Sequence, residues 1–172
     1  MAKRSSGTFE RKPRDFYPTP KAAVLPLLPY LGSTDFIEPC AGNGALVAHL
    51  LEEGLNCYKA SDVEPQDGWI EREDLLTSDW SSDYPVYTNP PWDRKLLHPI
   101  IEHLRGRVPY YWLLIDANWM FTKQAAPYLK YCSKIVAIGR VKWIPDSKMQ
   151  GKDDACWYCF EDVPTQTVYI GR

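Results

Sequence analysis

Hydrophobic residues along the chain follow two different periods. Short apolar runs of the kind found in buried strands occur at 34–40, 56–65, 69–80, 84–92, 109–120, 134–144, 155–161 and 167–171, the third being a short strand or turn around Asp74. Apolar positions three and four residues apart predict helices between them, at 21–31, 41–54, 95–106 and 123–132. Alternating strands and helices of this kind predict an α/β fold with a mostly parallel sheet.

Glycine and proline set limits on these helices. Two prolines restrict 21–31 to short helical pieces, and Gly54 is a natural stop for the helix over 41–54. Pro99 is expected near the first turn of the helix over 95–106, where a missing amide costs little. The apolar face of the helix over 41–54 is predicted to consist of Leu46, Val47, Leu50 and Leu51.

Composition places the chain among ordinary globular proteins. It has 172 residues, 45% hydrophobic and 24% charged, enough for one domain with a sizeable core. No apolar run reaches the length of a membrane helix, and residues 1–15 lack the apolar stretch of a signal peptide. The five cysteines form no disulfide pattern, which favours a reducing cytoplasm. Cys156 and Cys159 have no second ligand pair nearby, so buried strand positions are favoured over a metal site.

Charge is segregated along the chain although the net charge is only −2. Residues 1–14 carry five cations and one acid and are expected to be a flexible basic segment ahead of one catalytic domain over 15–172. Residues 62–83 carry eight acids and one arginine, whereas 134–152 carry five cations and one acid. The two basic segments could meet a polyanion if they share a face of the protein.

Polar and glycine-rich residues follow several of the predicted strands, and in open α/β sheets ligands bind at these carboxyl ends. Gly42 and Gly44 form a turn that allows a ligand to approach the backbone before the next helix. Asp62 follows the second strand, the usual place of a ribose-binding acid. Two further candidates complete the set, the pair Asp74-Leu75 and the motif Asn89-Pro90-Pro91-Trp92.

Five motifs in this order resemble the small phage and prophage DNA methyltransferases that modify the N6 amine of adenine with S-adenosylmethionine. The motifs are DFYPTP at 15–20, FIEPCAGNGAL at 36–46, SDVEP at 61–65, EDLL at 73–76 and TNPPW at 88–92. The resemblance extends over about 15–170. It implies a Rossmann-like class I methyltransferase fold, with helices on both faces of the sheet and an antiparallel C-terminal strand.

The resemblance also implies which residues bind the cofactor. Glu38, Pro39, Ala41, Gly42 and Gly44 would lie near its methionine part, and Asp62 would accept from the ribose hydroxyls. Asp74 would accept from the adenine amine, with Leu75 against the ring. Tyr17, Thr19 and Pro20 would close over the methionine end. The product would be S-adenosylhomocysteine, and no metal is expected.

The motif Asn89-Pro90-Pro91-Trp92 resembles the catalytic motif of these enzymes. The Asn89 side-chain oxygen and the Pro90 carbonyl are two acceptors held rigidly by the pair Pro90-Pro91, suited to the two hydrogens of an adenine amine. They would stabilise the charge that develops on nitrogen during direct in-line attack on the methyl group. Trp92, expected to be exposed, would offer a flat face to an adenine flipped out of the duplex.

DNA is the partner that the resemblance implies. Arg94, Lys95, Lys142, Lys148 and Lys152 are candidate phosphate contacts, in or near loops 93–97 and 143–155 that would read the sequence. No separate target-recognition domain like that of large family members is expected, and a homodimer is one arrangement that would supply more contact surface. A bacterial cytoplasm is the expected location, with a phage or prophage as one origin.

Other functions remain open at this point. The Asn-Pro-Pro-aromatic motif also occurs in methyltransferases of RNA bases and of protein glutamine, and a catalytically inactive binding module could share the fold. Asn89 favours adenine over cytosine-N4 chemistry, where serine is usual. Pro39-Cys40 lies in the glycine loop, which is the wrong place for a cytosine-C5 nucleophile. His49, His98 and His103 form no shared motif, and packing or surface roles are expected for them.

Overall fold

An eight-stranded sheet runs through the protein, whose computed structural model describes residues 17–144 and 153–172. The spatial order of the strands is β3-β2-β1-β4-β5-β7-β6-β8. Their bounds are β1 Asp35–Glu38, β2 Asn56–Asp62, β3 Glu71–Arg72, β4 Val86–Thr88, β5 Tyr111–Asp116, β6 Cys132–Arg140, β7 Asp154–Phe160 and β8 Val168–Ile170.

The sheet is parallel except at β7, which lies antiparallel between β5 and β6. The terminal strand β8 pairs in parallel with β6. The predicted Rossmann-like fold, mostly parallel with an antiparallel strand near its C-terminus, is therefore confirmed. Lys148 and Lys152, which precede β7 in the chain, lie outside the described residues.

The strand order reverses between β1 and β4. From β1 the chain proceeds outward to β2 and β3, and then returns to place β4 on the other side of β1. The connections that leave these two strands therefore diverge to opposite faces of the sheet. A crevice opens between them at the carboxyl ends, which is where open α/β sheets bind ligands.

Helices cover both faces of the sheet, because neighbouring strand residues point to opposite sides. On β1, Phe36 joins a core cluster packed against α1 and α2, whereas Ile37 joins a second cluster packed against α3. The longest helix has 11 residues, so no helix in the described part of the chain could cross a bilayer. The bounds are α1 Lys21–Val24, α2 Ala45–Glu52, α3 Arg94–Leu104 and α4 Ala126–Leu129, with 3-10 turns at Leu25–Tyr30 and Ala117–Phe121.

Three local expectations were wrong. Leu51 is 49% exposed, because the buried stripe of α2 consists only of Leu46, Val47 and Leu50. Pro99 lies inside α3, beyond its first turn. The apolar run 109–120 is not one strand: β5 ends at Asp116, whose carboxylate accepts from the backbone amide of Asn118 and turns the chain into a 3-10 helix.

The two closely spaced cysteines of β7 point to opposite faces of the sheet. Cys156 belongs to the cluster packed against α3, and Cys159 to the cluster packed against α1 and α2. Both side chains are buried, as expected for strand cysteines. Within 17–144 and 153–172, no group of three potential metal ligands comes together.

A buried tryptophan attaches the segment before β1 to the sheet. The indole Nε1 of Trp157 on β7 donates to the Ala23 carbonyl of α1 at 2.7 Å. Trp112 on neighbouring β5 is buried to a similar extent, but its Nε1 has no hydrogen-bond partner in the described structure. The two tryptophans are thus similarly buried, but only Trp157 makes a hydrogen bond through its indole nitrogen.

This difference predicts unequal costs for the same substitution. Trp157→Phe leaves the Ala23 carbonyl without its partner and should lower the free energy of unfolding by about 1–3 kcal/mol more than Trp112→Phe does. Urea unfolding followed by circular dichroism measures both. Equal losses in the two variants would mean that the Trp157 bond contributes nothing beyond packing.

Candidate active site

A cavity of about 540 Å³ occupies the crevice at the carboxyl ends of β1 and β4. Segment 17–19, the ends of β1, β2 and β4, the start of α2 and the loop after β3 form its walls. Eleven residues expected from the sequence line it: Tyr17, Thr19, Glu38, Pro39, Ala41, Gly42, Asp62, Asp74, Leu75, Asn89 and Pro91. Pro20, Gly44, Pro90 and Trp92 do not belong to the lining.

Glu38, the last residue of β1, places a carboxyl group at the base of the cavity. It is fully buried, and its Oε1 accepts from the Thr88 hydroxyl on β4 and from the Cys40 amide at 3.0 Å. The other oxygen, Oε2, has no hydrogen-bond partner among the described residues. Burial raises the pKa of Glu38 to about 8, because the two hydrogen bonds offset only part of the desolvation of the charged form.

Asp62 connects the end of β2 with the glycine turn. One carboxylate oxygen accepts from the Gly42 amide and the other from the Glu64 amide, both at 2.8 Å. Gly42 has a φ of 56°, a left-handed conformation that favours glycine. Each oxygen keeps further lone pairs, so the carboxylate can still accept from hydroxyl groups of a ligand.

Gly44 has a packing role that the sequence did not indicate. A Cβ at this position would lie 2.4 Å from Cζ2 of Trp69, and the residue has a φ of 80°. Trp69 therefore lies directly against the backbone at the start of α2. The glycine here makes room for an indole of the protein itself, whereas Gly42 borders the cavity.

The Asn89 carboxamide is held from both ends. Its Nδ2 donates to the Thr19 hydroxyl at 3.1 Å, and its Oδ1 accepts from Trp92 Nε1 at 3.3 Å. An indole nitrogen only donates, so this contact requires that the amide oxygen face Trp92. Thr19 is 5% exposed, which fixes the segment before β1 against the end of β4.

Trp92 is anchored, and the expectation that it is exposed was wrong. Its Nε1 also donates to the Leu114 carbonyl of β5 at 2.9 Å, which holds the half-buried ring beside the sheet. Trp143, after β6, packs edge-on against it with ring centroids 5.5 Å apart. The indole therefore occupies one orientation at the rim of the crevice.

Three of the predicted basic residues can be located. Arg94 and Lys95 are exposed at the start of α3, and Arg94 hydrogen-bonds Gln124. Lys142 is exposed after β6. All three follow the carboxyl ends of parallel strands, so they lie along the same edge of the sheet as Asn89.

Sequence reasoning missed some residues of the site. Thr88 holds Glu38. The signal available in the sequence was a hydroxyl residue at the end of a strand-type run, directly before Asn89. Leu96 and Ile100 of α3 line the cavity, but in the sequence they are ordinary apolar helix positions. The other lining residues had no individual role in the site predicted, although all but Gln66 lie inside the motifs: Pro18, Cys40, Asn43, Ala45, Leu46, Val63, Glu64, Gln66 and Leu76.

Comparison with known proteins supports the fold. No protein-family model and no curated protein sequence matches the chain. A proposed RNA methyltransferase from Pyrococcus horikoshii is similar in structure, with a TM-score of 0.63 and 18% identity over 86% of this chain and 87% of that one.

Two further solved structures share the fold at lower identity. A dimethyladenosine transferase from Plasmodium falciparum has a TM-score of 0.57 and 13% identity over 87% of this chain and 63% of that one. The modification subunit of a proposed type I restriction enzyme from Vibrio vulnificus has a TM-score of 0.55 and 13% identity. That match covers 91% of this chain and 47% of the subunit.

The buried carboxyl of Glu38 should leave a signature in the pH dependence of stability. Its pKa in the folded protein is raised above the unfolded value of 4.5 to about 8, so the stability that it contributes is complete below about pH 4.5 and is lost as pH rises through 8. Glu38→Gln cannot titrate. We expect the variant to gain stability relative to the wild type between pH 5 and pH 8, by up to about 1 kcal/mol per pH unit. Urea unfolding across this range tests it, and a constant difference would contradict the raised pKa.

Proposed function

We propose that the protein is a methyltransferase that transfers a methyl group from S-adenosylmethionine to the N6 amine of adenine in DNA, with one catalytic domain over 15–172. The observation that carries the proposal is the Asn89 carboxamide, fixed between Thr19 and Trp92 at the edge of the β1–β4 cavity. An adenine amine is a weak nucleophile, and acceptors held rigidly beside it are the help that it needs.

The cavity fits the cofactor at each of its three parts. The unpartnered Oε2 of buried Glu38 suits the ammonium of the methionine part. Asp62 suits the ribose hydroxyls, while Asp74 and buried Leu75 suit the adenine amine and ring. Tyr17, Thr19 and Pro20 belong to the segment that would cover the methionine end. When bound, S-adenosylmethionine supplies an electrophilic methyl group.

Catalysis by this chain would consist of positioning and of accepting hydrogen bonds. The Oδ1 of Asn89 and the Pro90 carbonyl would accept from the two amine hydrogens and stabilise the positive charge that develops on the nitrogen. Pro91 removes backbone freedom from this pair of acceptors. Trp92, whose indole is fixed by the Leu114 carbonyl, would present its free face to the flipped base.

DNA is favoured over RNA by the resemblance of the segment at 15–20 to the small DNA enzymes, and Thr19 of this segment contacts Asn89. RNA adenine is the second candidate, because two of the structures with the same fold are named as an RNA methyltransferase and a dimethyladenosine transferase. The same acceptor geometry serves either nucleic acid. Radiolabelled S-adenosylmethionine with unmethylated DNA, followed by nucleoside analysis, should yield N6-methyladenine, and label in RNA alone would select the second candidate.

Asn89→Ala tests the acceptor role. Removal of the carboxamide should lower kcat for methyl transfer by about 10²–10³-fold, because the developing charge loses an oriented partner. Cofactor affinity, measured by calorimetry, should stay within a few-fold. Asn56→Ala, at the opposite end of the sheet, serves as a matched control and should behave as the wild type. Loss of cofactor binding in Asn89→Ala would instead assign the residue a structural role.

Thr19→Val tests whether this hydroxyl orients Asn89 or binds the cofactor. If it orients the amide, kcat should fall about tenfold, as expected for one lost hydrogen bond, with an unchanged cofactor dissociation constant. Thr19→Ser keeps the hydroxyl and should restore the rate. A weaker cofactor affinity with an unchanged kcat would identify Thr19 as a cofactor contact.

A further inference from the structure

Phe121 is the most exposed large hydrophobic side chain of the described residues. It is 80% exposed at the end of the 3-10 turn that follows β5. The turn leaves the sheet at the same edge as the Asn89 motif, because β4 and β5 are neighbouring parallel strands. A phenyl ring in water at this edge has no packing role in the fold described here.

The backbone beneath Phe121 is held firmly. Trp119, two residues earlier, is 3% exposed, and its Nε1 donates to His98 on α3 at 3.2 Å. The Thr122 hydroxyl donates to the Trp119 carbonyl at 2.8 Å, and Asp116 caps the start of the turn. The ring therefore projects from a fixed base, which lowers the entropy lost when it binds a partner.

Two exposed cations belong to the same region as this ring. Arg94 reaches the same loop through Gln124, and Lys123 is two residues from Phe121. Neither cation pairs with a carboxylate in the described parts of the chain. The two nearby acids each accept from a backbone amide: Asp93 from the Lys95 amide, and Asp116 from the Asn118 amide.

We propose that Phe121 stacks on the DNA base next to the flipped adenine, with Arg94 and Lys123 on the flanking phosphates. The inference rests on the proposed function and extends it to a contact outside the cavity. Extrusion of one base exposes the faces of its neighbours. An exposed aromatic ring with two cations nearby matches that combination of apolar face and negative backbone. Stacking tolerates any base, so this contact would add affinity without adding sequence preference.

Binding of fluorescein-labelled DNA, measured by anisotropy with S-adenosylhomocysteine present, tests this contact. Phe121→Ala should weaken binding about 5- to 100-fold, the range for loss of one base–aromatic stack. Phe121→Trp should retain the affinity for DNA. Phe121→Leu should lose affinity, because leucine is apolar but has no flat ring. Tyr58→Ala removes a comparably exposed aromatic, 68% exposed near the opposite end of β2, and should change nothing.

Salt dependence separates stacking from charge. The slope of log affinity against log salt should be unchanged in Phe121→Ala but should fall by about one in Lys123→Gln. The stacking contact would be overturned if Phe121→Ala bound DNA as tightly as the wild type does. The proposed function would remain intact in that case, provided that the wild-type protein binds and methylates DNA. Wild-type protein that binds and methylates only RNA of the same sequence, or neither nucleic acid, would overturn both.

Discussion

The hydrogen bond between Thr88 and Glu38 joins the two strands on which the whole site depends. β1 and β4 are separated by β2, β3 and α2 in the chain, yet they pair side by side. The buried carboxyl of Glu38 hydrogen-bonds Thr88 at the carboxyl ends of both strands. From β1 the chain continues into the glycine turn, and from β4 into Asn89. Beside the backbone pairing of the two strands, this buried contact links the cofactor side of the crevice to its catalytic side.

Much of the fold was predictable because its signals are local. The parallel α/β pattern follows from alternating strand-type and helix-type periods, and the glycine turn, Asp62, Asp74 and Asn89 follow from polar residues at strand ends. The cavity collects most of these residues in one place, as expected when parallel strands end at a common edge. The order of the motifs along the chain was sufficient to predict these residues, because the strands that carry them are parallel and end at the same edge of the sheet.

What the sequence did not predict depends on contacts between distant segments. The apolar run 109–120 gives no sign that Asp116 turns the chain, because its cap is made by one side-chain oxygen. The sequence predicted an exposed indole at Trp92. The hydrogen bond to the Leu114 carbonyl, which holds the ring beside the sheet, cannot be inferred from the sequence. The sequence predicted a ligand contact at Gly44. In the structure Trp69, from the loop between β2 and β3, packs against this glycine.

The bond between Trp157 and Ala23 has a consequence for the order in which the protein becomes competent during synthesis. It joins residues 134 positions apart, and the helix α1 that it anchors begins two residues after Thr19, the partner of Asn89. Contacts over such separations form late, since the chain entropy must be lost before they contribute. The glycine turn and β1 can form early in translation, whereas the carboxamide gains its final support only after β7 emerges from the ribosome.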